Sequence, residues 1–123
     1  MCAFSKTKLF RQWDLRRVDD DLPVLSLSAP GMDTVTGLSL NPAETHILSN
    51  SMDSNLRCWD IRPFFAGAGI DRCERNYDGV HHGAEKVLLK AAWSVDGERV
   101  ACGSADRYST VLKNRKLSIC MFV

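Results

Sequence analysis

Three groups of side chains in this 123-residue chain have the types a reactive site would need. Asp53 and Asp106 could share acid and base roles if the fold brought them together. His46, His81 and His82 could ligate a metal ion. Ser49, Ser51 and Ser104 carry hydroxyls that a neighbouring base could activate. Spacing argues against each. No third ligand lies at helical or hairpin distance from His81-His82, so a polar loop is the stronger reading. None of the serines stands in a Gly-x-Ser-x-Gly elbow. Gly31, Gly67 and Gly69 make no phosphate loop, since no helix follows and no Gly-Lys-Ser/Thr occurs. Trp13, Trp59 and Trp93 read as strand-packing residues rather than a base-stacking platform.

The aspartates are better explained by the elements that carry them. Residues 35–62 hold short alternating runs bounded by Asn41-Pro42 and by Ser51-Met52-Asp53-Ser54-Asn55, which are strand–turn–strand signals. Three strands in so short a stretch leave no room for a crossover helix, so the pairing is expected to be antiparallel. A gapless shift of 53 residues lays LSLNPAETHILSNSMD over AAWSVDGERVACGSAD, with Asp53 on Asp106. A second period, of 46, relates Trp13-Asp14-Leu15-Arg16 to Trp59-Asp60-Ile61-Arg62. Such periods, with several strands and a Trp-Asp per unit, predict an all-β chain of β-propeller blades. The two aspartates then occupy equivalent turns of different blades, where a short carboxylate accepts backbone N–H bonds.

The expected organisation follows. Residues 1–12 end a preceding blade, 13–62 are one repeat, 63–108 a second and incomplete one, and 109–123 a tail outside the repeat. Leu22–Ser28 reads as an outer strand and Val35 begins an inner one. Phe64–Gly69 connects blades, Ile70–Tyr77 is a weak outer strand, and Val95-Asp96-Gly97 turns a hairpin. Leu112-Lys113 stand where Trp-Asp should recur; one reading is a divergent strand, and the favoured one is that the last dozen or so residues come from an altered reading frame, retained intron or alternative exon. Propellers close with roughly four or more blades, and this chain supplies about two. The expectation is an open partial ring that does not stand alone, because each blade needs neighbours to bury its faces.

Composition narrows the function classes. A formal charge of +1 gives no electrostatic footprint of a nucleic-acid binder. Five cysteines without a Cys-x-x-Cys pair suggest buried thiols in a reducing compartment rather than a disulfide frame or zinc site. The N-terminal residues lack the apolar run of a signal peptide, and no stretch approaches a membrane span. A soluble intracellular chain is expected, with no cofactor and no metal.

The runs DTVTGLSL, LSNSMDSNLRCWDIRPF and AAWSVDGERVACGSADR resemble the WD40-repeat family. Within it they are most similar to the WD40 subunits of the fifth spliceosomal small nuclear ribonucleoprotein, over residues 13–108. The resemblance implies a nuclear, non-enzymatic, protein-binding propeller acting in pre-mRNA splicing beside a large splicing-factor scaffold. RNA would be met only indirectly, within the complex, and no membrane is implied. In WD repeats the turn Asp commonly shares a buried network with a His, a Ser or Thr, and the Trp. That implies structural roles for Trp13, Asp14, Ser49, Asp53, Trp59, Asp60 and Asp106. The usual Gly-His is absent, since Met32 follows Gly31, so the network is expected to be incomplete. His81 or His82 could serve the next unit, which lacks the Trp. Arg16 and Arg62, in Trp-Asp-x-Arg, are either surface ion-pair residues or contacts for a partner. In some family members such an arginine docks the propeller adaptor of cullin–RING ubiquitin ligases, the alternative function.

Overall fold

The computed structural model describes residues 2–4, 10–17, 22–29, 31–63, 72–77, 80–83, 88–105, 108–113 and 121–122. All regular structure among them is β. The strands are β1 (Cys2–Phe4), β2 (Phe10–Gln12), β3 (Leu25–Leu27), β4 (Val35–Leu40), β5 (His46–Ser51) and β6 (Leu56–Asp60). They continue with β7 (Cys73–Tyr77), β8 (Ala91–Trp93), β9 (Arg99–Gly103), β10 (Tyr108–Lys113) and β11 (Met121–Phe122). Three sheets result, in the orders β1-β2-β3, β4-β5-β6-β7 and β8-β9-β10-β11, each strand antiparallel to its neighbours.

Short polar turns set the register. Asn41 Oδ1 accepts the Thr45 and His46 amides at 2.8 and 3.0 Å, closing the β4–β5 hairpin. Asp53 Oδ1 accepts the Asn55 amide at 3.1 Å in the β5–β6 turn. There Ser54 takes a φ of 65°, in the left-handed region where L residues are uncommon. Asp96 Oδ1 does the same for the Glu98 amide between β8 and β9, with Gly97 at φ 71° supplying the conformation a side chain would resist.

The sheets pack face to face. Leu27 of the first meets Met32, Val35, Ile47 and Trp59, a core shared by the first two sheets. Leu48, Leu56, Cys58, Tyr77 and Val80 meet Val100, Cys102 and Leu112, the core shared by the second and third. The second sheet is therefore apolar on both faces, as a central blade must be, and β6 is buried along its whole length.

The strand assignments refine the sequence boundaries. Of the outer strand expected over 22–28 only Leu25–Leu27 is strand, and this β3 pairs with β2 and completes the first sheet. Likewise β7 completes the sheet that β4 begins. Each sequence repeat is thus shifted by one strand from the sheet it mostly builds. The end of the second repeat also moves. Ladder pairing continues past residue 108 to Lys113, and Met121 pairs with Ser109. Leu112, in place of the expected Trp, is 1% exposed and simply fills the core. The strand pattern survives the loss of the Trp-Asp signature because burial asks for an apolar side chain there, and Leu is one. The Phe64–Gly69 connection lies outside the described residues.

Candidate functional site

Asp53 stands in the turn after β5, and β6 returns Arg57 alongside it. Arg57 Nη2 donates to Asp53 Oδ2 at 2.6 Å and Nη1 donates to Ser51 Oγ at 3.0 Å. Ser51 Oγ in turn donates to Asp53 Oδ1. The Arg57 side chain is 5% exposed and the Asp53 side chain 12%, so this ion pair is nearly removed from water. Burial works to raise the Asp53 pKa, but the hydrogen bonds from Arg57 and Ser51 and the guanidinium charge outweigh it. The carboxyl is held below its ordinary range. Arg57 Nε is buried without a hydrogen-bond partner.

Trp59 and Ser49 form a separate unit. The indole Nε1 donates to Ser49 Oγ at 2.8 Å, and both residues are fully buried. Asp53 bonds to Ser51 and Arg57 rather than to this pair. Met32 provides the reason. It is 1% exposed and packs in the Trp59 cluster, and a thioether cannot relay a hydrogen bond as an imidazole would. The carboxylate is satisfied by Arg57 instead. Arg57 was the residue missed. Its signal was an Asp and an Arg facing each other across a tight hairpin turn, in DSNLR.

His82 bonds to Asn50 and Ser54. Its Nε2 lies 3.3 Å from Asn50 Oδ1, and its amide donates to Ser54 Oγ at 3.3 Å. Burial lowers its pKa, opposed in part by the Asp53 charge. Asn50 Nδ2 donates to the Leu89 carbonyl at 3.1 Å and to Cys102 Sγ at 3.4 Å. Thr36 Oγ1 donates to the same carbonyl at 3.1 Å. These bonds tie the second sheet to the third. His81 contributes backbone only, its amide donating to Ser104 Oγ at 3.0 Å. His46 pairs with Glu74 at 2.9 Å, at the other end of β5 from the Asn50 that His82 meets. Among the described residues no three His, Cys, Asp or Glu gather as metal ligands. Asp106 lies outside the described residues.

The two Trp-Asp-x-Arg corners share one geometry. In the first, Asp14 Oδ1 accepts the Arg16 amide at 3.0 Å and Arg16 Nε at 3.2 Å. In the second, Asp60 Oδ1 accepts the Arg62 amide at 2.9 Å and Nε at 3.0 Å, and Oδ2 accepts Nη2. Hydrogen bonds from Arg62 hold the Asp60 pKa down, and those from Arg16 do the same for Asp14. Each aspartate thus fixes the stem of an arginine whose tip faces solvent, at 57% exposure for Arg62 and 91% for Arg16. Trp13 is only half-buried, unlike Trp59.

The repeated corner, the four-stranded antiparallel sheet and the polar hairpin turns agree with a family comparison. Residues 22–60 match the family described as WD domain, G-beta repeat.

Residues 22–60 are a WD40 repeat.

The match begins on β3 and ends on β6, reproducing the one-strand offset between repeat and sheet. The three sheets are a partial WD40-type propeller whose described strands do not close a ring. The chain is 45% identical over 76 residues to the U5 small nuclear ribonucleoprotein 40 kDa protein of Bos taurus, covering 62% of this chain and 20% of that protein. It is 44% identical over 76 residues to the Homo sapiens protein of that name, with the same coverage. To the Dictyostelium discoideum protein it is 37% identical over 129 residues, covering 71% of this chain and 36% of that protein. The chain spans about a fifth of the length of the first two relatives.

Proposed function

We propose that this WD40 chain is a non-enzymatic protein-interaction scaffold of a U5 small nuclear ribonucleoprotein, acting in the nucleus in pre-mRNA splicing. The identity to proteins of that name, over 76 residues, carries the reading. The near-neutral charge supports partners that are proteins, foremost a large splicing-factor scaffold, with RNA engaged through the complex. The test is affinity capture of the tagged chain from nuclear extract, with U5 small nuclear RNA quantified in the eluate. Enrichment over an unrelated WD40 control supports the proposal; RNA at the control level refutes it.

A second reading, substrate receptor of a cullin–RING ubiquitin ligase, is favoured by one observation. Arg16 and Arg62 are presented by equivalent corners, each held by its own aspartate and open to solvent. Replacing both by Glu should then abolish capture of the ligase's propeller adaptor while leaving U5 RNA recovery intact. Adaptor capture that is unaffected removes that reading.

A further inference from the structure

Thr45, His46 and Glu74 are joined in series where the second sheet meets the third. Asn41 fixes the arrangement. Its Oδ1 accepts the Thr45 and His46 amides, which orients the side chain so that Nδ2 donates to Thr45 Oγ1 at 3.1 Å. Thr45 Oγ1 lies 2.8 Å from His46 Nδ1, and His46 Nε2 lies 2.9 Å from Glu74 Oε2. In the neutral ring these contacts select one tautomer. Nε2 carries the proton and donates to the carboxylate, and bare Nδ1 accepts the Thr45 hydroxyl proton. A hydroxyl within reach of a base, with the base oriented by a carboxylate, is the arrangement of an activated nucleophile.

The surroundings limit what could react there. Thr45 is half-buried, and the Glu74 side chain is 49% exposed, so small reagents have access. A cleft of about 90 Å³ adjoins the series, lined by Asn41, His46, Cys58, Glu74, Arg75 and Trp93. That is about the share of three liquid waters, enough for an acetyl group and too little for a long acyl chain. Burial pushes the Cys58 thiol up to about 12, which keeps it from competing as a nucleophile.

We infer that Thr45 is an acylation site, taking an acetyl group from an activated acetyl ester. Thr45 Oγ attacks the carbonyl carbon as its proton passes to His46 Nδ1. The bond to the leaving alcohol then breaks, and His46 returns the proton to the departing oxygen. The products are a Thr45 acetyl ester and the free alcohol. Glu74 stays ionised and stabilises the transient imidazolium through Nε2–H. Asn41 and Arg75 are the donors lining the cleft that suit a developing oxyanion. The chain is the acceptor and does not turn over, so the site adds to a scaffold role.

The test is incubation of the folded 123-residue chain with p-nitrophenyl acetate, followed by mass mapping of acetyl esters, with lysine acetylation as the internal standard. Thr45 should label faster than every other hydroxyl, and Thr45→Ser should keep the site while Thr45→Val removes it. His46→Ala should slow labelling at Thr45 by at least about a hundredfold, and Glu74→Gln by at least about tenfold. Gln still accepts the Nε2 proton, so a Glu74 that only held the ring in place would leave the rate unchanged. In urea the preference for Thr45 should vanish. Labelling of Thr45 no faster than that of Thr34 or Ser94, labelling that persists in urea, or a rate unmoved by either His46→Ala or Glu74→Gln would overturn the inference. Equal labelling by p-nitrophenyl octanoate would overturn the assignment to a short acyl group.

Discussion

Replacing Asp53 by Ala removes the only carboxylate that faces the Arg57 guanidinium within the β5–β6 hairpin. The guanidinium is 5% exposed at the side chain and cannot swing into water without breaking β6. Stripping one partner from a buried pair costs about 3–5 kcal/mol, since the remaining charge is left uncompensated. The Asn55 amide loses its acceptor in the same step, and the Ser51 hydroxyl keeps only the Asn55 carbonyl at 3.3 Å. Arg57→Met is a different perturbation. It removes the buried charge together with an Nε that already lacks a partner, and Met retains much of the apolar stem. Its expected cost is about 1–2 kcal/mol, and Arg57→Met combined with Asp53→Ala should cost less than Asp53→Ala alone, because no uncompensated guanidinium is left. The assay is urea unfolding followed by Trp fluorescence, at one fixed chain concentration because association stabilises the folded state. The pH dependence supplies a second check. The folded pKa of Asp53 lies below the unfolded value, so its contribution is fully present above the unfolded pKa of about 3.9 and is lost as pH falls through the folded one. The gap between wild type and Asp53→Ala should therefore be constant near neutrality and shrink below about pH 4. A cost under about 1 kcal/mol, or single-variant costs that simply add, would refute the coupling argued from the geometry.

Trp59→Phe should destabilise by about 2 kcal/mol or more, by leaving Ser49 Oγ without the indole donor and opening space beside Met32; thermal unfolding at fixed concentration reads it. Gly37→Ala should loosen the seam between the second and third sheets. Its Cβ would come within 3.2 Å of the Leu89 carbonyl oxygen, so amide exchange in β8 and β9 should accelerate while β2 and β3 hold. Thiol alkylation should also discriminate. Burial pushes the Cys58 thiol up to about 12 and Cys102 up to about 11, so both should stay unmodified at neutral pH while half-buried Cys73 reacts ahead of them; mass mapping after brief exposure checks the order of these three.

Period and alternation made the strands legible. Asn41-Pro42, the Met52–Asn55 turn and Asp96-Gly97 mark hairpin corners in the chain, and each is a corner in the structure. The doubled Trp-Asp-x-Arg likewise announced two equivalent corners, and both have the same aspartate-to-arginine geometry. Beyond Asp106 the sequence misled, because the Trp-Asp signature was taken as a condition for the third strand. Burial is the condition, and Leu112 meets it. Val80, beside the His81-His82 pair read as a polar loop, is fully buried for a related reason, since it packs in the core shared by the second and third sheets.

The sequence by itself determined the repeat, the antiparallel pairing and the turn positions. These depend on interactions between residues close in the chain, which leave a periodic trace. Only the tertiary structure decided which polar groups meet. Asn50 reaches Leu89 and Cys102 from the next sheet, His82 turns to Asn50, and Arg57 takes Asp53 away from Trp59 and Ser49. Buried hydrogen-bonding groups must find partners wherever packing places them. That placement is set by how one sheet lies on another, and no spacing along the chain encodes it.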